Sequence, residues 1–481
     1  MPGGSPRRAA LGLAALLVLA ALVRFVGIGA QSFWLDEVVT AQLVQRSFGD
    51  MLSTIPHSES TPYLYYVLVW PWAKLFGHGE AALRSLSALF GVATVAAIWA
   101  AARELVSERA ALAAGALAAL NPFLVWYSQE ARAYALLALL CAGSFWLFAR
   151  ALRLGDGRAL AWWALASALA LATHYFAAFT VVPEAIALAL LIGRTRAWAL
   201  ACGGIALATA ALAPLAAQQR RGGGADWIGD ITLGHRISEI PKRFAAGEFG
   251  NQLGYVFWLV LLCALAAVVL LGLRASERER RGALVALGIG LAGLVVPVVS
   301  ALATLDYVFP RNLIGSLPAL LVAFGAALTV ASARRAGGVL LAAVVVLSAV
   351  ALVRTATDDR LQRDDWRSVA RFLDGRHARI LVTSPQDDGR ALSYYMGGLL
   401  ELTDPGVETQ EVAVVELTRA PLRERRALLP VPGFRPIATS DAETYRLVLE
   451  RSPRTVTLGP GAVLPFAFRP DDAAAYADLN R

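Results

Sequence analysis

Residues 9–30, AALGLAALLVLAALVRFVGIGA, are an apolar run interrupted only by Arg24, and Ser32-Phe33-Trp34-Leu35-Asp36-Glu37 follows almost at once. A helix of about 20 residues covers about 30 Å, the thickness of a bilayer's hydrocarbon core. The run exceeds the roughly 7–15-residue core of a secretory signal, and others like it follow. It therefore reads as an uncleaved first membrane helix behind the basic start Arg7-Arg8. Two adjacent carboxylates where that helix surfaces cost desolvation free energy. Asp36 and Glu37 are thus the first candidates for chemistry at the membrane face.

Working outward, the 481 residues are 57% hydrophobic and 17% charged, with mean hydropathy +0.56, whereas a soluble domain carries about 25% charged residues. Apolar runs recur at 9–29, 83–102, 108–127, 133–150, 159–175, 176–193, 197–217, 253–273, 282–303, 313–331 and 336–355. They predict an all-α polytopic membrane protein, because only helices satisfy their own backbone in lipid outside closed barrels. The expected count is eleven spans, or thirteen if 38–80 adds a pair. Tyr63–Phe76 is apolar but short and carries Pro71, so 38–80 reads better as outer, partly re-entrant amphipathic helices.

The net charge of +8 is explained by Arg clusters between spans: Arg103/Arg109, Arg150/Arg153/Arg158, Arg194/Arg196, Arg274/Arg278/Arg280/Arg281 and Arg334/Arg335. That is the positive-inside pattern, and no nucleic-acid partner is needed to account for it. A plasma (inner) membrane location with a cytoplasmic N-terminus follows. The outer set then holds Asp36-Glu37, Tyr127–Arg132, His174-Tyr175, 218–251 and Asp306–Arg311. Cys141, Cys202 and Cys263 lie inside apolar runs and read as small buried hydrophobes.

Near residue 356 charged residues become frequent, and short apolar strands (Ile380–Thr383, Val412–Val415, Tyr445–Leu449) alternate with helical stretches such as Ala391–Met396. The expected division is a transmembrane module at 1–356, with its first outer loop at 30–82, and a small extracytoplasmic α/β domain at 357–481.

The polar groups of the outer set suggest chemistry. Asp36 reads as a general base or metal ligand, or as a helix cap; Phe33, Trp34 and Leu35 form an apolar collar that favours the former. His57 and Glu59, in Pro56-His57-Ser58-Glu59, are metal-capable. Tyr63, Tyr65 and Tyr66 suit either a cavity wall or an interfacial aromatic belt. In Trp126-Tyr127-Ser128-Gln129-Glu130-Ala131-Arg132-Ala133-Tyr134, Arg132 suits a phosphate, or a structural ion pair with Glu130 or Asp36. His174-Tyr175 and Arg311 face the same compartment, and Arg24 is placed to snorkel or to neutralise the acid pair. A carboxylate base beside several Arg, with or without a cation, suits a reaction expelling a lipid phosphate.

At these residues the chain resembles the C-type glycosyltransferases, in particular the bacterial branch related to protein O-mannosyltransferases and the lipid A aminoarabinose transferase. Trp34-Leu35-Asp36-Glu37 resembles their first-loop acidic motif. Thr61-Pro62-Tyr63-Leu64-Tyr65-Tyr66 resembles a PPLYY element, with Tyr63 in place of the second proline. Leu75-Phe76-Gly77, Ala82–Gly91, Asn121–Tyr134, Thr173-His174-Tyr175 and Arg311-Asn312 follow in order.

The resemblance implies an enzyme that moves a sugar, with inversion, from a polyprenyl-phosphate carrier to a glycan, lipid or protein hydroxyl at the outer face. It implies Asp36 as base and Glu37 as its acidic neighbour, with Arg132, Arg311 and Arg84 for the donor phosphate. Glu59, His57, Tyr63, Tyr65, Gln129, Glu130, His174 and Tyr175 would line the cavity. A divalent cation (Mg2+, Mn2+ or Zn2+) on Glu59 and His174 is a further expectation. A transporter of lipid-linked saccharides would need polar groups through the midplane, and the spans from 197 to 355 are nearly free of them. A non-catalytic envelope scaffold would leave Asp36, Arg132 and Arg311 without a purpose.

Overall fold

The computed structural model describes residues 6–303, 306–376, 378–384, 389–419, 425 and 428–478. The chain divides into two compact units, one of residues 1–28 and 43–354, the other of residues 29–42 and 355–481.

The first unit is helical. Its helices are α1 (Pro6–Phe25), α2 (Leu35–Gln45, whose first part falls in the second unit), α3 (Phe48–Ser58), α4 (Leu64–Phe76), α5 (Glu80–Leu105), α6 (Glu108–Leu120), α7 (Pro122–Ser128) and α8 (Tyr134–Leu154). There follow α9 (Gly157–Thr173), α10 (Ala178–Leu191), α11 (Arg196–Arg221), α12 (Leu233–Ala246), α13 (Gly254–Arg274), α14 (Glu277–Ala303), α15 (Leu317–Leu328) and α16 (Arg334–Thr357). Residues 38–80 fold as most of α2 and the short helices α3 and α4.

Eight helices among the described residues are long and apolar enough to cross a membrane, or nine if the bent pair α6 and α7 counts as one. The expectation of eleven exceeds this because α9 and α10, at 17 and 14 residues, fall short of the roughly 20 residues a straight crossing takes. Leu262 and Leu273 of α13, 61% and 76% exposed, belong on a surface solvated by lipid tails. The chain is a multi-pass membrane protein.

The break between α6 and α7 positions the residues of interest. Asn121 caps α7 by accepting from the Leu124 N–H at 2.9 Å, and Pro122 occupies the first helical position, where a missing N–H does no harm. The two axes meet at 57°. Pro122 has no N–H for the Ala118 carbonyl four residues back. Arg24, fully buried, supplies the missing donor: its Nη2 reaches Ala118 O at 3.1 Å, and its Nη1 reaches Ala119 O at 2.9 Å. Its Nε donates to Ser128 Oγ at 3.1 Å. The guanidinium is therefore spent on the helix break, which corrects the expectation that Arg24 snorkels or neutralises the acid pair. Gly91 permits this contact, since a Cβ there would lie 2.1 Å from Ser128 Oγ.

The second unit contains a mixed six-stranded sheet, with β1 (Ile380–Ser384), β2 (Leu399–Glu401), β3 (Val407–Leu417), β4 (Arg435–Asp441), β5 (Tyr445–Leu458) and β6 (Ala474–Asp478). The order is β2-β6-β1-β3-β5-β4, with β1 and β3 parallel and the other pairs antiparallel. The continuous apolar run of β1 is buried at all five residues, as a central strand covered on both faces requires. Helix α17 (Trp366–Leu373) buries Trp366, Val369 and Leu373, the i, i+3, i+7 stripe of an amphipathic helix. Helix α18 (Gly389–Met396) carries Tyr394 and Tyr395. Strand β4 ends the sheet with Arg435 and Pro436 exposed, which discourages further strand pairing.

Candidate active site

In the helical unit Arg132 and Glu59 meet as a buried two-pronged pair. Arg132 Nη1 donates to Glu59 Oε1 at 2.9 Å and Nη2 to Oε2 at 2.8 Å. Their side chains are 9% and 2% exposed. Glu59 ends α3, its backbone N–H donating to Ile55 O, and Arg132 follows the α6–α7 break. Tyr66 of α4 is fully buried beside this pair, 3.4 Å from Thr61 Oγ1. Burial pushes its phenol well above the usual range, so Tyr66 stays a neutral donor. Gln219 of α11 ties the turn at 61–63 to the site: its Nε2 donates to Thr61 O at 2.9 Å, and its Oε1 accepts from the Tyr175 hydroxyl at 2.7 Å.

His174 terminates α9 and is buried, its ring 6.0 Å from that of Tyr134. Burial, with the neighbouring Arg311 and Arg132 guanidinium groups, pushes its imidazole down to about 3. Nδ1 accepts from the Phe176 N–H at 3.2 Å, which leaves the proton of the neutral ring on Nε2. Arg311 lies over the rings of Tyr134, Trp227 and Phe309, at 5.7, 5.2 and 5.3 Å. Such stacking suits a guanidinium better than an ammonium.

The loop carrying Arg311 is anchored by Arg236 of α12, whose guanidinium grips both oxygens of Asp306 and donates to Val308 O at 2.7 Å. Arg243 of α12 also lies 5.3 Å from the Phe309 ring centroid and pairs with Glu248, which accepts from the Tyr127 hydroxyl at 2.8 Å. Arg236, Arg243, Glu248 and Trp227 were not singled out in the sequence. The signal that points to them is the charge and aromatic density of 218–251 in an otherwise apolar chain.

Asp36 and Glu37 belong to the second unit, in the first turn of α2. Asp36 is half-buried. Glu37 is fully buried and pairs with Arg363 at 3.6 Å. Glu37 also accepts from the Trp34 N–H at 3.4 Å, the reach-back of a third-position acid to the start of its helix. The accessible acid of the pair is Asp36, and Glu37 supports it.

Residues 60–217 match the model of the dolichyl-phosphate-mannose-protein mannosyltransferase family. No curated protein matches the chain. Among solved structures, ArnT from Cupriavidus metallidurans in the apo state is similar over 92% of this chain and 98% of its own, with TM-score 0.56 and 14% identity. The same protein bound to undecaprenyl phosphate gives TM-score 0.55 and 13% identity over 93% and 98%. The apo oligosaccharyltransferase of Archaeoglobus fulgidus gives TM-score 0.53 and 12% identity over 82% of this chain and 64% of its own. The chain shares the fold of these solved structures over most of its length.

The remaining expected site residues fall into two groups. Glu59, Arg132, His174 and Arg311 come together, with Tyr65 fully buried against Tyr66 and Tyr63 and Tyr175 close enough to interact electrostatically. Glu130 is buried and acts electrostatically on Tyr127. Others hold backbone carbonyls or lie exposed. Gln129 Nε2 donates to Val23 O and Arg24 O at 3.3 and 3.1 Å, closing the end of α1. Arg84 is buried and donates to Ile28 O at 3.1 Å. His57 is exposed, 3.1 Å from Gln218. The expected cation pair Glu59 and His174 does not suit a metal: both Glu59 oxygens hold Arg132, and His174 Nδ1 holds a backbone N–H. No group of three or more His, Cys, Asp or Glu able to hold a metal occurs among the described residues.

Proposed function

We propose that this protein is a C-type glycosyltransferase that moves a sugar from a polyprenyl-phosphate donor to an acceptor hydroxyl at the outer face of the plasma membrane, with inversion at the anomeric carbon. The N-terminus is cytoplasmic, and residues 357–481 form a domain outside. The observation that carries this reading is the placement of two guanidinium groups, Arg132 and Arg311, about the buried His174, with Arg311 5.7 Å over the Tyr134 ring and that ring 6.0 Å from the imidazole. Cationic forks in a water-poor setting favour an anion such as a phosphate. An apolar cavity of about 600 Å³, walled by Ile237, Ile240 and Phe244 of α12, Val260 of α13, and Leu321 and Phe324 of α15, suits the isoprenoid chain.

Asp36 takes the proton of the acceptor hydroxyl as its oxygen attacks the anomeric carbon from the face opposite the phosphate. The bond from that carbon to the phosphate oxygen breaks, and its electron pair leaves with the polyprenyl phosphate. Arg132 and Arg311 stabilise the charge that grows on the phosphate oxygens. Glu59 fixes the fork of Arg132, and the rings of Tyr134, Trp227 and Phe309 fix that of Arg311.

The test is binding of undecaprenyl phosphate to the purified protein by native mass spectrometry. The wild type should retain it in preference to a diacyl phosphatidic acid, and Arg311→Ala should weaken retention. Equal retention of the two lipids by the wild type overturns the assignment of the donor.

A further inference from the structure

The acid motif and the C-terminal residues are folded together, although more than 300 positions separate them. From Gly29 to Trp34 the chain has no helix or strand, yet four consecutive residues are held by name. Gln31 Oε1 accepts from the Arg363 backbone N–H at 3.1 Å and from its Nη1 at 3.3 Å. Ser32 Oγ donates to Asp365 Oδ1 at 3.1 Å and accepts from the Arg367 N–H at 3.2 Å. The Phe33 N–H donates to the Tyr395 hydroxyl at 2.6 Å, and the fully buried Phe33 ring meets Tyr394 edge-on at 5.5 Å. Arg367 Nη2 closes the other end on Gly29 O at 3.2 Å. Trp34 then starts α2 under the Glu37 carboxylate, which Arg363 holds.

We infer that the C-terminal residues of this unit position the catalytic base: Arg363, through Glu37, and Tyr395, through the Phe33 backbone, fix the helix turn that carries Asp36. The reasoning is one of preorganisation. An unstructured six-residue segment cannot by itself hold a base to the sub-ångström tolerance that proton abstraction needs, and a misplacement of about 1 Å costs on the order of 100-fold in rate. The hydrogen bonds from 363–367 and 395 supply that order. Arg363 is 7% exposed and Glu37 fully buried, so the pair is shielded from solvent screening and geometrically defined. Arg363 and Tyr395 are positioning residues, and Asp36 remains the group that meets the acceptor. The inference rests on the reading of Asp36 as base.

The experiment compares steady-state sugar transfer by Arg363→Met, Arg363→Lys, Tyr395→Phe and Asp36→Asn in proteoliposomes, with undecaprenyl phosphate retention measured on each. Arg363→Met should lose about 10- to 100-fold in kcat with donor KM within about twofold of wild type. Arg363→Lys should recover most of the loss, and lipid retention should be unchanged. Tyr395→Phe removes one hydroxyl without altering packing, so it reports even if Arg363→Met fails to fold; a fall in kcat of about threefold or more at unchanged donor KM is expected. Wild-type kcat in both Arg363→Met and Tyr395→Phe overturns the positioning role, as does a loss that appears only as a raised donor KM. If Asp36→Asn transfers at the wild-type rate, the base assignment itself has failed. If Asp36→Asn is dead while Arg363→Met and Tyr395→Phe are unimpaired, the positioning inference alone has failed.

Discussion

Glu59 and Arg132, 73 residues apart, share two hydrogen bonds of 2.8 and 2.9 Å in a site almost closed to solvent. The pair couples the end of α3 to the segment after the α6–α7 break. Removing one partner leaves the other charge buried without compensation. Glu59→Gln should therefore lower unfolding stability by about 3–5 kcal/mol. The double variant Glu59→Gln/Arg132→Met should lose less than the sum of the two single changes. Thermal unfolding in detergent, run as a double-variant cycle, checks both statements.

His174 makes stability depend on pH in a defined window. Its folded value near 3 lies below the unfolded value near 6.5, so the unfolded chain binds the proton first as pH falls. Above about 6.5 both states are neutral and the term vanishes. Between about 6.5 and 3 the folded state loses about 1.4 kcal/mol per pH unit from this group. His174→Gln abolishes the term. The difference in unfolding midpoint between wild type and His174→Gln should shift in favour of the variant as pH is lowered from 7 to 5. A pH-independent difference would contradict the assignment.

Asp306 behaves in the opposite sense. The Arg236 guanidinium holds its carboxyl below the usual range. Its stabilising contribution is complete above about 3.8 and is lost as pH falls through the depressed value. The carboxyl is partly solvent-exposed, so the effect is modest. Asp306→Asn should loosen the loop that presents Arg311. Above pH 5 it should raise donor KM more than it lowers kcat in the transfer assay.

Arg311→Lys keeps the charge but loses the planar fork and its stacking on Tyr134, Trp227 and Phe309. It should weaken donor binding by about 10-fold, and Arg311→Ala by more, consistent with about 1–2 kcal/mol for desolvated cation–π contacts. The readout is retention of undecaprenyl phosphate over a concentration series.

The parts of this molecule legible in the sequence were those set by local pattern. Apolar length predicted the membrane helices, Asn121-Pro122 carried its own break signal, and the β-rich runs Ile380–Thr383 and Val412–Val415 became paired neighbours in the sheet. The ordered motifs brought Glu59, Arg132, His174 and Arg311 to notice before any geometry was known. What local pattern could not show was how each polar group is spent. Gln129 reaches the Val23 and Arg24 carbonyls at the end of α1, and Arg84 reaches that of Ile28 just beyond it, contacts that become visible only once the helix is placed. Arg24 serves an orphan carbonyl created by a proline 98 residues downstream. The clamp on the acid motif joins residues more than 300 apart, and no periodicity encodes such a pairing.

The central claim is that Asp36 takes the acceptor proton. Transfer of radiolabelled sugar from a polyprenyl-phosphate donor by Asp36→Asn in proteoliposomes tests it most directly, with donor-lipid retention measured on the same preparation. The variant should retain the lipid as wild type does and lose about 100- to 10,000-fold in transfer rate, the range expected for loss of a general base. Transfer at the wild-type rate by a folded, lipid-binding Asp36→Asn protein would contradict it.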